Sequence, residues 1–333
     1  MVSYVFILFG STALAFSLIA YSQPLLRRYA LARPIARSSH KVATPQGGGI
    51  FVVFSTVIAV ALAVLWKHDL AGQTQELALV LGATVLLAVV GAIDDLRTIS
   101  VVPRLILQGA AVAMVVVALP SQLRIVPSLP FWLERAGILL GGVWFVNLVN
   151  FMDGIDWMII AEAVPLTAAL TVFGLMGFLP PDATVVSVAL CGALVGFAPF
   201  NRPVATLFLG DVGSLPVGLL MGWLLTQLAL NGHFIIALLL PLYYVADSSI
   251  TLLGRLIRAE AITQAHRDHF YQRALDRGLS VYQIVGRVFA TNLALVAIAA
   301  ITLISDAILL QLLAMIAGGA LVGTLLWSLT KSK

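Results

Sequence analysis

Apolar stretches close to the ~20 residues that cross a bilayer as a helix recur from one end of the chain to the other. They fall at 3–23, 48–66, 76–93, 104–120, 134–149, 158–179, 183–199, 214–230, 233–253, 284–304 and 307–329. Several connections are very short, such as Asn231-Gly232 and Asp306, and short connections make antiparallel neighbours of consecutive helices. No internal repeat, low-complexity stretch or linker interrupts the series. The pattern predicts an all-α polytopic membrane protein of about 11 transmembrane helices, with residues 1–333 as a single domain.

Composition supports that class: 61% of the 333 residues are hydrophobic and 10% are charged, against about 25% charged in soluble domains. This excludes an ordinary water-soluble globule. The net charge of +4 is read as membrane topology and not as nucleic-acid binding, because basic residues first report sidedness in a membrane protein. The stretch from Val2 to Tyr21 has no basic residue before it, and Arg27 and Arg28 follow it. That order predicts a first spanning helix with its N-terminus outside, and not a signal peptide. The lone cysteine, Cys191, lies in an apolar run and is expected to be a buried thiol.

With the N-terminus outside and strict alternation, 16 of the 19 Lys and Arg residues fall inside and Lys67, Arg124 and Arg135 fall outside. The positive-inside rule therefore predicts a cytoplasmic C-terminus. The same alternation places Asp94, Asp95, Asp153, Asp156 and Asp211 at inside helix ends, from three separate loops, while the outside acids are scattered.

Five inside segments differ from ordinary solvated loops. Ser38 to Gly49 carries Lys41 and three consecutive glycines; glycines let a backbone approach a ligand and offer N–H groups to an anion, or simply make a flexible entry to the next helix. Asp94-Asp95 ends a helix, where two carboxylates face the unfavourable end of the helix dipole and attract a cation or a proton, unless they are only a hydrophilic stop. Asn147, Asn150, Asp153 and Asp156 recur every three residues, a spacing that lines one helical face, with Gly154 expected to break the helix. Their oxygens suit Mg²⁺ or hydrogen bonds to a sugar or base. Phe208 to Ser214 places Asp211 between two glycines. The long loop at about 254–283 holds His266, Arg267, His269 and Arg273 among further arginines, a cluster suited to anionic groups or to lipid headgroups. His-x-x-His without a third soft ligand argues against zinc. Glu162 and Asp247 lie one or two turns inside helices, where an acid is a functional candidate; their roles stay open.

Carboxylates with Mg²⁺ beside Arg and His make an apparatus for phosphoryl transfer. A site at the inner boundary is reachable both by a lipid phosphate and by a cytosolic nucleotide. The rival classes are a secondary transporter, which would place its binding groups near the midplane on broken helices, and a scaffold, which needs no ordered polar motifs.

At about 40–273 the segments Thr44 to Gly49, Asp94-Asp95, Asn147 to Asp156, Phe208 to Ser214 and His266 to Arg273 resemble, in order and spacing, the polyprenyl-phosphate N-acetylhexosamine-1-phosphate transferases. The His-Arg-Asp-His-Phe-Tyr-Gln-Arg form is most similar to the branch that initiates O-antigen and exopolysaccharide synthesis. The resemblance implies an enzyme of the bacterial inner membrane, working at the cytoplasmic face among membrane lipids. It would transfer a sugar phosphate from a UDP-N-acetylhexosamine to undecaprenyl phosphate and release UMP. It implies Mg²⁺, with Mn²⁺ as a substitute, held by Asp211 with Asn150. Asp156 and Phe208 would hold uracil. His266, Arg267 and His269 would meet the diphosphate or sugar, with Lys41, Asn147, Asp153 and Arg273 as further substrate contacts. Asp94 and Asp95 would act at the lipid phosphate, as base or as positioning groups. The sequence leaves a homodimer open. Two departures stand out: Trp157 replaces the glycine common after the second acid of the Asp-Gly-Ile-Asp segment, and the histidine cluster differs from that of the peptidoglycan branch.

Overall fold

A computed structural model describes residues 2–29, 31–32, 44–66, 74–260, 266–305 and 307–331. Its helices are α1 (Val2–Tyr29), α2 (Gly48–Trp66), α3 (Thr74–Leu96), α4 (Val101–Ala118), α5 (Phe131–Met152), α6 (Met158–Leu175), α7 (Pro181–Phe197), α8 (Asp211–Leu230), α9 (Phe234–Leu239), α10 (Leu242–Ile257), α11 (Phe270–Asp276), α12 (Val281–Thr302) and α13 (Ile308–Thr330). The architecture is an all-α, polytopic membrane fold. Among the described residues, nine of these helices are long and apolar enough to cross a membrane, and α7 is a shorter apolar helix.

Each sequence-predicted segment coincides with a helix, with one correction. The stretch expected as a single helix over 233–253 is interrupted: α9 ends at Leu239 and α10 begins at Leu242. Pro241 lies in the interruption. It has no N–H to donate and its ring clashes with the preceding turn. Two further elements were not expected, the short α11 and an antiparallel ladder of β1 (Leu31–Ala32) with β2 (Thr44–Pro45). The start of α12 follows from sequence chemistry. Ser280 Oγ accepts the Gln283 N–H at 3.3 Å and Gln283 Oε1 accepts the Ser280 N–H at 2.9 Å, a reciprocal capping box.

The core sits around α8, which packs against α2, α3, α5 and α9. Most of α8 is buried within the protein, whereas most of α1 and α13 is not, so α8 is the central helix and α1 and α13 are peripheral. The peripheral helices keep large apolar side chains outward, including Phe6, Phe9, Leu309 and Ile316, as lipid contact requires. Some polar groups pair between helices. Ser11 Oγ donates to the Ala189 carbonyl at 2.5 Å, and Asn292 Nδ2 donates to Glu162 Oε2 at 2.7 Å. In hydrocarbon an unpaired polar group would be costly.

Glycines permit the closest approaches. A Cβ at Gly91 of α3 would lie 2.2 Å from the Asp211 carbonyl oxygen, and one at Gly49 would lie 2.2 Å from the Gly213 Cα. The start of α8 is thus clasped between α3 and the start of α2 at backbone contact. Gly91→Ala is expected to cost at least about 1–3 kcal/mol, the usual scale of overpacking against rigid backbone. Gly109→Ala, where a Cβ meets nothing within 4 Å, should change stability by no more than about 0.5 kcal/mol. Thermal unfolding of both variants in detergent checks the contrast.

Candidate active site

The C-terminus of α3, the C-terminus of α5 and the N-terminus of α8 meet at one end of the bundle. Asp95 and Asp211 are joined there. Asp95 Oδ1 accepts the Asp211 N–H at 3.0 Å and Oδ2 accepts the Val212 N–H at 3.1 Å. The first N–H groups of a helix have no partner within it, and the helix's own N-cap, Gly210, supplies none. Asp95 therefore caps α8 from another helix. A carboxylate that would suffer at the negative end of α3 gains from the positive end of α8. Gly210 takes φ +77°, and a Cβ there would lie 2.6 Å from Asp95 Oδ2.

Asp94 turns elsewhere. Its carboxylate accepts the Ile99 N–H at 2.6 Å and pairs with Arg104 at 2.9 Å. It also lies within hydrogen-bonding reach of the Asp211 side chain. From α5, Asn150 Nδ2 donates to Asp211 Oδ1 and to Ser214 Oγ, both at 2.8 Å. Asn150 thus meets Asp211 as a donor that orients the carboxylate, with its amide nitrogen and not its oxygen facing the acid.

The expectation that residues 147, 150, 153 and 156 share one face is corrected. Helix α5 ends at Met152 with Asp153 as its C-cap, so Asp153 and Asp156 lie beyond the helix. Asn147 is buried and gives its amide to Gln108 Oε1 of α4 at 2.7 Å and to the Val143 carbonyl, which directs it into the bundle. Asp153 stays with the acids. Burial pushes its carboxyl up to about 7, reinforced by the Asp211, Asp156 and Asp95 carboxylates. Among the described residues no three His, Cys, Asp or Glu side chains converge as a preformed metal cage. The hard oxygens of the Asp211 and Asp94 carboxylates still suit a cation that completes its shell with substrate oxygens, as Mg²⁺ does.

A second set of residues lies beside the acids. Asp156 is buried and its Oδ2 accepts the Ala205 N–H at 2.9 Å. Phe208 is half-buried; its N–H reaches the Pro45 carbonyl at 2.8 Å and its carbonyl accepts the Gly48 N–H at 2.9 Å. The Gly49 N–H goes likewise to the Leu209 carbonyl at 2.9 Å. These glycine N–H groups serve chain packing and are not offered to an anion. Lys41 lies outside the described residues. Trp157 adopts φ +61° as the N-cap of α6, a left-handed conformation that glycine takes without strain. Its indole N–H donates to the Ala198 carbonyl at 2.7 Å, its backbone N–H donates to Asn201 Oδ1 at 2.8 Å, and its ring meets Tyr282 edge-on at 6.2 Å. Here the ring is held by the 198–201 segment.

The third set is the cationic loop. Arg267 pairs with Asp276 at 2.8 Å, and the Arg273 guanidinium lies over the Phe270 ring at 4.4 Å. His266 and His269 have ring centroids 5.0 Å apart. Burial, then the neighbouring His269 and Arg255, push the His266 imidazole down to about 4, so it is neutral at pH 7. Tyr271 ties the loop to α5. Its hydroxyl donates to the Phe151 carbonyl at 3.1 Å, and a Cβ at Gly154 would lie 2.1 Å from that oxygen. Sequence reasoning passed over Ser214, Asn201 and Tyr271 as site residues, and left Asp247 without a role. Asp247 had a signal as an acid inside a helix, and Ser214 and Tyr271 lay within the motif segments at 208–214 and 266–273.

Asp153 supplies a pH test. Its carboxyl is raised in the folded state above the ordinary 3.8, so the stability it contributes is complete below that value and is lost as pH rises through about 7. In metal-free buffer Asp153→Asn is therefore expected to raise the unfolding temperature at pH 8, with the gain shrinking towards pH 4. A pH series of thermal melts checks this.

A family model for glycosyl transferase family 4 matches residues 77–229, the stretch that carries Asp94, Asp95, Asn150, Asp153, Asp156 and Asp211. The chain is 23% identical over 296 residues to a probable undecaprenyl-phosphate N-acetylglucosaminyl 1-phosphate transferase of Bacillus subtilis, covering 81% of this chain and 79% of that relative. It is 29% identical over 298 residues to a decaprenyl-phosphate N-acetylglucosaminephosphotransferase of Mycolicibacterium smegmatis, covering 77% and 71%. It is 25% identical over 230 residues to a phospho-N-acetylmuramoyl-pentapeptide-transferase of Streptococcus agalactiae, covering 64% and 67%. With its acids gathered where three helices end, this multi-pass membrane chain is similar to the polyprenyl-phosphate N-acetylhexosamine-1-phosphate transferases of glycosyl transferase family 4 and is a phosphoglycosyltransferase.

Proposed function

We propose that the chain transfers N-acetylhexosamine 1-phosphate from a UDP-N-acetylhexosamine to undecaprenyl phosphate. The products are undecaprenyl-diphosphate-N-acetylhexosamine and UMP, the first membrane step of a cell-surface polysaccharide. The observation that carries this reading is the gathering of Asp94, Asp95, Asp153 and Asp211 at one helix junction. Four acids so close would repel a phosphorylated substrate unless a cation intervened. We assign Mg²⁺ to Asp211 and Asp94, with the remaining ligands coming from substrate phosphates; when bound, it would offset the charge that builds on the transferring phosphoryl group.

The protein's own groups then position the partners. An oxygen of the lipid phosphate forms a bond to the β-phosphorus as the bond from that phosphorus to the bridging oxygen breaks, and the bridging oxygen leaves with UMP. A phosphate monoester has a second pKa near ~6, so the attacking group is already largely dianionic at neutral pH and needs no general base. Asp95 is engaged with two α8 N–H groups, which favours a positioning role over proton abstraction. Asp156 and Phe208 are assigned to the uracil. Neutral His266, with Arg267 and His269, is assigned to the diphosphate or sugar. We assign the site to the cytoplasmic face of the bacterial inner membrane, on about 11 crossings with the N-terminus outside, a layout supported by the sorting of basic residues. A transporter is disfavoured: among the described residues the helix interrupted at Pro241 carries Asp247, and that acid is engaged by the loop at 269–270.

Purified protein is expected to release UMP from at least one of UDP-N-acetylglucosamine, UDP-N-acetylfucosamine and UDP-N-acetylquinovosamine, only with undecaprenyl phosphate and Mg²⁺ present. Asp211→Asn should lower that rate by about 10²–10³-fold without unfolding the protein. No release across the panel would overturn the reading.

A further inference from the structure

Asp247 is fully buried on α10, six residues past the interruption at Pro241. A carboxylate there is expensive unless its oxygens are used, and each is used. Oδ1 accepts the Phe270 N–H at 3.1 Å and lies 3.1 Å from His269 Nδ1, with the Thr251 hydroxyl at 3.3 Å. Oδ2 accepts the Tyr243 hydroxyl at 3.3 Å. Two of these four contacts, Tyr243 and Thr251, lie one turn away on α10 itself and fix the carboxylate. The other two reach across 22 and 23 residues to the loop.

His269 is itself buried, at 2% exposure. Its ring stacks on Tyr271 at 5.7 Å and lies 5.0 Å from His266, while Tyr271 is pinned to the end of α5 through the Phe151 carbonyl. A carboxylate at Nδ1 fixes the orientation of an imidazole and which nitrogen carries the proton, leaving Nε2 for another partner. The Phe270 N–H is one of the partnerless donors at the start of α11, so the same oxygen sets the histidine ring and the helix that follows it.

We propose that Asp247 is a positioning residue that, from within α10, locks the His266–Tyr271 segment against the end of α5 through His269 Nδ1 and the Phe270 N–H. The catalytic consequence rests on the reading above that His266 and His269 meet the donor's diphosphate or sugar. Asp247 touches no substrate; it acts through His269.

The experiment is a double-mutant cycle on UMP release, with thermal unfolding in detergent measured on the same variants. Asp247→Ala is expected to lower turnover by about 10–100-fold, the usual scale for a group that orients a functional imidazole. Asp247→Asn, which keeps an oxygen for the Phe270 N–H, should recover most of that loss. In a His269→Ala background, Asp247→Ala should cost no more than about 3-fold further, since groups that act as a unit are not additive. Equal losses in both backgrounds would overturn the proposal, as would an Asp247→Asn variant no better than Asp247→Ala. If Asp247→Ala does not fold, the nearly isosteric Asp247→Leu, which likewise offers no acceptor, takes its place in the cycle. If the wild-type protein releases no UMP from any donor, the proposed function fails, and the unfolding temperatures decide this inference. Coupled losses at positions 247 and 269 support the lock, and additive losses reject it.

Discussion

Everything at the working end of the molecule depends on Asp95 capping a helix that is not its own. The negative end of α3 and the positive end of α8 abut, and Asp95 takes the N–H groups of Asp211 and Val212. This fixes the backbone at which Asp211 emerges. Gly91, Gly49, Gly210 and Gly213 remove the side chains that would hold the two ends apart. Asn150 then sets the Asp211 carboxylate from the third helix end. The cap is a structural interaction, and it creates the acidic centre by bringing carboxylates from three distant parts of the chain to one junction.

The helices were legible because spanning length is a strong constraint: a backbone in hydrocarbon must satisfy itself, and ~20 apolar residues are needed to do so. The interruption at Pro241 was less legible, because Leu240 and Leu242 flank the proline and the apolar run continues through it. At the site, Asp94, Asp95 and Asp211 were visible as acids at helix ends. Asp153 and Asp156 were put on the helical face because a three-residue spacing was extended past a helix that stops at Met152, while Asn147, within that helix, turns to Gln108 of α4. The glycines at 47–49 were recognised as positions of close approach, but sequence could not say that the group approaching Gly48 and Gly49 is the 208–213 backbone and not a ligand. Asn201 gave no signal, since its partner lies 44 residues away; Tyr271 stood within the His266 to Arg273 segment, but its partner 120 residues away was not legible.

The arrangement also separates tasks by element. The acids sit on the ends of packed helices, where their positions are rigid. The cations and imidazoles sit on a loop fastened at Asp247 and at Phe151. A rigid acidic floor beside a tethered cationic loop suits a reaction in which two phosphorylated substrates approach from different phases. Trp157 belongs to the same economy: it tolerates φ +61° because its indole and its backbone N–H are both anchored to the 198–201 segment.

The central claim is that the acids at the α3–α5–α8 junction form a divalent-cation site that requires Asp211. Mn²⁺ binding to the detergent-purified protein, followed by electron paramagnetic resonance in the presence of UMP, tests it directly. The account expects saturable binding in the wild-type protein and its loss in a folded Asp211→Asn variant. Mn²⁺ binding of unchanged strength in that variant would contradict it.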